Sequence, residues 1–311
     1  MAKSGGPTVG LDVGSDRIKA VELVPGRQGP TVRALGIAPT PPGAMENNIV
    51  VDAQLLGQAI KKLLKESGIG TNHSVSSVSG QSALVVRVIE VPRMSDSELA
   101  ETMKWEVERH VPFAANEVIM DFQPIERADT PPDSQNMEVL LAVAQQDMID
   151  RHVDMLFAAG LKPIAVDVEP LACCRALIEL GPDPYGKKTT AVINIGASNT
   201  DVGIFKDGVL AFPRTLPLAG STFTRAIATQ MGVDEEQAEE LKMRHGQVIM
   251  GHAIAPSKNL GSNRGRVVPP QLTRDHSEKL EGRDSAGQDG FHALRRQCHR
   301  KRMIGVRPSH E

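Results

Sequence analysis

The stretch Val9-Gly10-Leu11-Asp12-Val13-Gly14-Ser15-Asp16-Arg17-Ile18-Lys19-Ala20-Val21-Glu22-Leu23 decides the fold. One apolar run ends in a tight Asp-x-Gly-Ser turn and a second, alternating run leaves it, which is the pattern of two strands joined by a short turn. Gly14 has access to positive φ and lets backbone approach a ligand closely. Successive N–H groups in such a turn form a concavity suited to phosphate. Asp12 is placed to hold a hydrated Mg²⁺, Ser15 to donate to a phosphate oxygen, and Lys19 to add positive charge. The pattern returns far downstream as Ala191-Val192-Ile193-Asn194-Ile195-Gly196-Ala197-Ser198-Asn199-Thr200-Asp201-Val202-Gly203-Ile204-Phe205. Asn194 stands for Asp12 and Gly196 for Gly14, with Ser198 and Thr200 as hydroxyl donors of the second loop. Two such hairpins a domain's length apart predict a duplicated α/β fold that grips a nucleotide between its halves.

At 311 residues the chain is long enough for two lobes with separate cores. An apolar fraction of 40% fits a globular protein, and with aromatics at 3% the cores must rest on Leu, Val, Ile, Ala and Met. The net charge of -3 argues against a general nucleic-acid binder. Three cysteines, two of them adjacent at Cys173 and Cys174, suit a reduced cytosolic protein and neither a disulfide framework nor a zinc site. The N-terminus lacks an apolar signal core, and no run reaches the roughly 18 apolar residues of a spanning helix. The expectation is a soluble, cytoplasmic protein without direct membrane insertion.

The remaining elements follow from periodicity. Strands are expected at Thr8–Val13, Ile18–Val24 and Thr31–Ala38, the last two parted by the turn Pro25–Pro30. Asp52 caps a helix whose stripe is Leu55, Leu56, Ala59, Ile60, Leu63 and Leu64, stopped near Gly68. Strands Val75–Ser79 and Ala83–Val91 follow. Ser95-Asp96-Ser97-Glu98 reads as a capping box opening a helix with Leu99, Met103, Val107 and Val111 on one side and Pro112 at its end. Strands Val118–Ile125 and Met137–Ala144 flank a loop at Ala128–Gln135. A helix ending at Gly160, a strand Lys162–Val168 and a helix Glu169–Leu180 return to the first lobe. The second lobe opens with Thr189–Ile195 and Thr200–Phe205, turns at Asp207-Gly208 into Val209–Pro213, and continues in helices Ser221–Met231 and Asp234–His245. After about Gly251 periodicity stops, and the segment is expected to be disordered.

The two hairpins resemble the phosphate loops of the actin/Hsp70/sugar-kinase superfamily. The likeness narrows further along. Val91-Pro92-Arg93-Met94, the helix with Trp105-Glu106, Val111-Pro112-Phe113 and Asp121-Phe122-Gln123 resemble the inserted subdomain of the type IV pilus assembly family PilM and of its relative, the cell-division family FtsA. Ala165-Val166-Asp167-Val168-Glu169-Pro170-Leu171-Ala172 resembles the PilM return into the first lobe. Leu218-Ala219-Gly220-Ser221-Thr222-Phe223-Thr224-Arg225-Ala226-Ile227-Ala228, with Ala238-Glu239-Glu240-Leu241-Lys242, resembles the helix pair that lines the nucleoside. The resemblance covers about residues 8–248. Ala219 stands where the family carries a second glycine, Asn194 where an Asp is usual, and no Gly-Gly-Gly-Ala-like turn follows Lys242. The tail is read either as out-of-frame translation or as a truncated chain with a replaced end.

The resemblance implies an α/β, actin/Hsp70-like (ribonuclease H-like) two-lobed ATPase fold with an inserted small α+β subdomain and an incomplete second lobe. The expected division is a first-lobe core at 8–85 continued by 160–188, an insertion at 86–145, a connecting helix at 146–159, a partial second lobe at 189–250 and a non-family tail at 251–311. The implied ligands are ATP and Mg²⁺. The implied site residues are Asp12, Gly14, Ser15, Lys19, Asn194, Gly196, Ser198, Thr200, Gly220, Glu239 and Lys242, with Asp12 as the metal anchor through water. The implied role is a cytosolic scaffold, peripheral to the inner membrane, that holds the N-terminal tail of a PilN-like membrane partner in a groove between the first lobe and the insertion. Self-association is compatible with this role. Two alternatives stay open, a sugar-kinase-type phosphotransferase and an FtsA-like polymerising protein. The first needs a general base, for which the sequence offers no clear candidate besides Asp201. Trp105 is expected to be buried between insertion and lobe, His110 to end its helix, and Cys173 to be an inert core thiol.

Overall fold

In the computed structural model the described residues are 6–27, 29–79, 83–125, 131, 134–179, 189–206 and 209–247. The turn at Asp207-Gly208, most of the loop at Ala128–Gln135 and the tail from Gly251 lie outside the described residues. Among the described residues, those up to Ala238 belong to one compact unit and those from Glu239 on to another.

The first lobe is built on β1 (Thr8–Val13), β2 (Arg17–Gly26) and β3 (Gly29–Pro39), an antiparallel meander. A two-residue turn then links the short strands β4 (Met45–Glu46) and β5 (Ile49–Val50) ahead of helix α1 (Ala53–Glu66). β6 (His73–Val78) lies parallel to β1. Alternation sends Val9, Leu11, Ile18 and Ala20 to one face of the sheet, where they bury against Leu56, Ile60 and Leu63 of α1. The Asp52 side chain accepts a hydrogen bond from the Leu55 N–H at 2.9 Å and so caps α1 as its residue type predicts.

The chain then leaves for the insertion. β7 (Leu84–Pro92), helix α2 (Asp96–His110), β8 (Val118–Ile125) and β9 (Asn136–Gln145) form an antiparallel sheet in the order β7-β9-β8 with α2 packed on it. The capping box is present: the Ser95 N–H donates to Glu98 Oε2 at 2.9 Å, and the Glu98 N–H to Ser95 Oγ. The Ser95 N–H and the Ser95 hydroxyl, both donating to Glu98 Oε2, hold that carboxyl below its ordinary range. Leu99, Met103 and Val107 face the insertion's core. Trp105 does not join them; it is 74% exposed, against expectation. Two residues from Met103 on a 3.6-residue helix, it faces away from the buried stripe, and helical phase outweighs ring size.

Helix α3 (Gln146–Ala158) and strand β10 (Lys162–Val168) rejoin the first sheet, whose full order is β10-β6-β1-β2-β3. α1 and α3 cross at Gly57, where an added Cβ would stand 2.4 Å from that of Ala158, so only glycine allows the approach. Gly160 ends α3 at φ 79°. Helix α4 (Glu169–Cys174) follows and continues as a π-helical turn over Arg175–Glu179, so the single α-helix expected from 169 is broken after one and a half turns.

The second lobe repeats the meander as β11 (Thr189–Ile195), β12 (Thr200–Lys206) and β13 (Val209–Leu216), followed by α5 (Gly220–Met231) and α6 (Glu235–His245). Aligning Asn194 with Asp12 sets Ile193 opposite Leu11 and Ala191 opposite Val9. The environments differ. Leu11 is 4% exposed under α1, whereas Ile193 is 58% exposed and shares its bare face with Ile195 and Phe212. Among the described residues no strand pairs with the outer edge of β11. Leu11→Ala is therefore expected to cost about 2–5 kcal/mol as a core truncation, and Ile193→Ala less than about 1 kcal/mol. Denaturant unfolding of the two variants measures the difference; equal losses would show that the second face is covered.

Candidate nucleotide site

The two hairpins close in the same way. The Gly14 N–H donates to the Arg17 carbonyl at 3.0 Å, and the Gly196 N–H to the Asn199 carbonyl at 2.9 Å. Strand registers match as well, Asp12 opposite Lys19 and Asn194 opposite Asp201. Neither glycine uses positive φ, contrary to the reason first given for them. Crowding within the turn explains them: a Cβ would lie 3.1 Å from the Arg17 oxygen at Gly14 and 2.9 Å from the Asn199 oxygen at Gly196.

The loops face each other across a cavity of about 250 Å³. Asp12, Gly14, Ser15 and Lys19 line it from the first lobe, and Asn194, Gly196, Ser198 and Asp201 from the second. Ser198 Oγ donates to Ser15 Oγ at 2.7 Å, a direct link between the two turns. Thr40 fastens the first turn through a 2.6 Å bond to the Gly14 carbonyl. The second turn is held by α5: the Gly220 and Ser221 N–H groups donate to the carbonyls of Gly196 and Ala197 at 3.0 and 2.9 Å. Two of the helix's unpaired N–H groups are thus satisfied by the loop. Ala219 takes an extended backbone, φ -157°, so alanine replaces the family's glycine there without strain. Thr200 turns its hydroxyl to the Leu218 carbonyl at 2.6 Å and supports the loop from behind. Glu239 and Lys242 belong to the second compact unit, where they pair with each other at 2.6 Å on α6.

Lys19 Nζ donates to Asp12 Oδ2 at 2.8 Å, with both side chains well exposed to solvent. Such a pair contributes little to stability, so both partners can be redirected to a phosphate and its cation at small cost. Among the described residues no cluster of three or more His, Cys, Asp or Glu is arranged to hold a metal by itself.

Glu169, the first residue of α4, is the cleft residue that sequence reasoning missed. Asn194 donates to its Oε1 from the second lobe, and Ser79, which follows β6, lines the same cavity. Burial pushes the Glu169 carboxyl up, and the nearby charges of Asp12 and Asp201 push it further; Ser79 and Lys19 act the other way. Burial likewise raises Asp201, partly offset by the Thr215 hydroxyl that donates to it. Cys173 is half-buried beside these carboxylates; burial first and then their charge raise its thiol, away from nucleophilic use. The position of Glu169 in a run shared with the family was visible. Its partner Asn194, 25 residues away in sequence, was not.

At the cavity's floor His152 is buried, with Nε2 2.8 Å from Ser76 Oγ. Burial lowers its pKa to about 4 from 6.5. The folded state therefore holds fewer protons than the unfolded one between these values. Stability is complete above pH 6.5 and falls as pH drops toward 4, by up to about 3 kcal/mol. Glu169 and Asp201, with raised values, oppose this trend. The difference between the native chain and His152→Gln isolates the histidine. Thermal midpoints from pH 7 to 4 are expected to fall less steeply in the variant; parallel curves would mean that His152 does not titrate as placed.

Against known proteins, the model of the family described as type IV pilus assembly protein PilM matches residues 10–248. The structure of a PilM-PilN type IV pilus biogenesis complex is similar with a TM-score of 0.68 at 32% identity, over 77% of this chain and 70% of that one. The cell division protein FtsA of Pseudomonas aeruginosa is 23% identical over 88% of this chain, and that of Bacillus subtilis 21% identical over 79%. These two alignments span 69% and 59% of the relatives' own lengths. No described helix is long and apolar enough to cross a membrane.

Proposed function

The chain belongs to the type IV pilus assembly protein PilM family, and on that premise we propose that it is an ATP-binding scaffold of pilus assembly. The observation that carries the ligand is the pair of hairpins with one closure geometry facing each other over a polar cavity. Asp12 would hold hydrated Mg²⁺, Ser15 and Ser198 would donate to phosphate oxygens, and Lys19 would turn from Asp12 to the phosphate chain. The cation, when bound, offsets phosphate charge. Gly220 would line the nucleoside side. A ligand bound only by the folded state closes the lobes by mass action. Glu169 accepts a hydrogen bond from Asn194 in the cleft and can hold a proton at its carboxyl, which is compatible with slow ATP hydrolysis. A sugar-kinase role is less well supported, since Asp201 is buried and engaged with Thr215.

Asp12→Ala is expected to lower Mg·ATP affinity at least about tenfold, a loss of roughly 1.4 kcal/mol, by removing the metal's anchor. Lys62→Ala, on the exposed face of α1, serves as the control. Calorimetric titration reads both. Equal affinity in the native chain and Asp12→Ala would refute the assignment.

The partner proposed is the cytoplasmic N-terminal tail of a PilN-like inner-membrane protein, which places the scaffold at the cytoplasmic face of that membrane. An extended peptide gains main-chain bonds along a strand edge and selectivity from side-chain pockets. β7 and β8 are the edge strands of the inserted sheet. A chain lacking residues 86–145, if shown folded by circular dichroism, is expected to lose binding to a synthetic PilN N-terminal peptide. Retained binding would move the groove elsewhere.

A further inference from the structure

We propose that the basic segment of this chain at residues 295–302 docks on the acidic outer face of α2, over Trp105. The proposal goes beyond the nucleotide reading and does not depend on it.

α2 has two unlike faces. Leu99, Met103 and Val107 are buried in the insertion's core. Trp105 lies two residues past Met103, about 200° round the helix, and is exposed. Residues three and four apart share a helix face, so Glu101, Glu108 and Arg109 border the ring. All three are exposed. The two cations of α2 are already engaged, Lys104 with Glu101 at 2.7 Å and Arg109 with Glu106 at 3.0 Å. Among the described residues no cation pairs with Glu108. Over its length α2 carries Asp96, Glu98, Glu101, Glu106 and Glu108 against Lys104 and Arg109, a larger acidic excess than any other described helix. An indole left in water among carboxylates is a platform for a cationic chain: guanidinium and ammonium groups stack on the ring, and the acids offset their charge. Tryptophan and arginine are also the residues that most often carry the energy of an interface.

The chain itself supplies a partner of that chemistry. Between Asp289 and Glu311 it carries Arg295, Arg296, Arg300, Lys301, Arg302 and Arg307 and no acidic residue. Met303 and Ile304 add apolar side chains beside them. The stretch from Gln247 to Arg295 can span up to about 160 Å, so length does not keep the segment from α2. Docking there leaves the strand edges of the insertion, β7 and β8, to a peptide partner.

Trp105 is the single tryptophan of the chain, so fluorescence of the full chain reports on this face alone. Acrylamide quenching at low salt is compared between the native chain and full-length Arg300→Glu with Lys301→Glu and Arg302→Glu. The triple reversal is expected to raise quenching and shift the emission to the red. High salt is expected to do the same to the native chain, since exposed charge pairs are screened. Glu101→Lys with Glu108→Lys on α2 is expected to expose the ring likewise. Combining the α2 and tail reversals is expected to restore shielding, which damage to the helix could not do. Equal quenching in the native chain and the triple reversal overturns the proposal. So does shielding that survives the α2 reversal, or a combined variant that stays exposed. Shielding lost on dilution assigns the segment to a second copy and overturns docking within one chain.

Discussion

Across the cleft an amide of one lobe donates to a carboxylate of the other: Asn194 to Glu169. The rest of the site depends on this contact. Glu169 sits where β10 gives way to α4, with its carboxyl largely withdrawn from water and two other carboxylates nearby. A buried carboxylate without partners costs several kcal/mol. Here Asn194 supplies the partner from the second lobe, and the Ser79 hydroxyl of the first lobe lines the same cavity. The lobes are not free to part without exposing or orphaning that group. Ser198 to Ser15, turn against turn, adds a second bond of the same sense. An aspartate at 194 would add a fourth acid to Asp12, Glu169 and Asp201, and asparagine there makes a hydrogen bond in place of a repulsion.

The two lobes show what one local pattern does in two surroundings. The Asp-x-Gly-Ser and Asn-x-Gly-Ala turns share closure, register and the crowding that demands glycine. Local chemistry alone fixes that much. What covers the strands is not local. The first lobe buries its sheet under α1 and α3, with Gly57 letting the helices close on each other. The described second lobe leaves Ile193, Ile195 and Phe212 in solvent beside the open edge of β11. A flat, uncharged edge next to an apolar face is a surface prone to strand addition.

Legibility in the sequence follows the same division. The caps at Asp52 and Ser95, the stop at Gly160 and the hairpin turns are short-range effects, and residue type announced them. Spacing alone places Leu99, Met103 and Val107 in the core, whereas Trp105, out of phase with them, is exposed and not buried as expected. The Asn47-Asn48 hairpin carried a recognisable two-residue signal between Met45-Glu46 and Ile49-Val50 that passed unread. Glu169 lies in a run shared with the family, but its role depends on Asn194 meeting it in space, which no local pattern carries. Break of the α4 helix after Cys174 had no signal in periodicity.

The account's central claim is that both hairpins grip one phosphate chain together. Hydrogen–deuterium exchange of the full chain, with and without Mg·ATP, tests it most directly. The account predicts slowed exchange in Asp12–Lys19 and in Asn194–Asp201 at the same nucleotide concentration, with Leu99–Val107 of α2 unchanged. Protection of one hairpin without the other, or of neither, would contradict it.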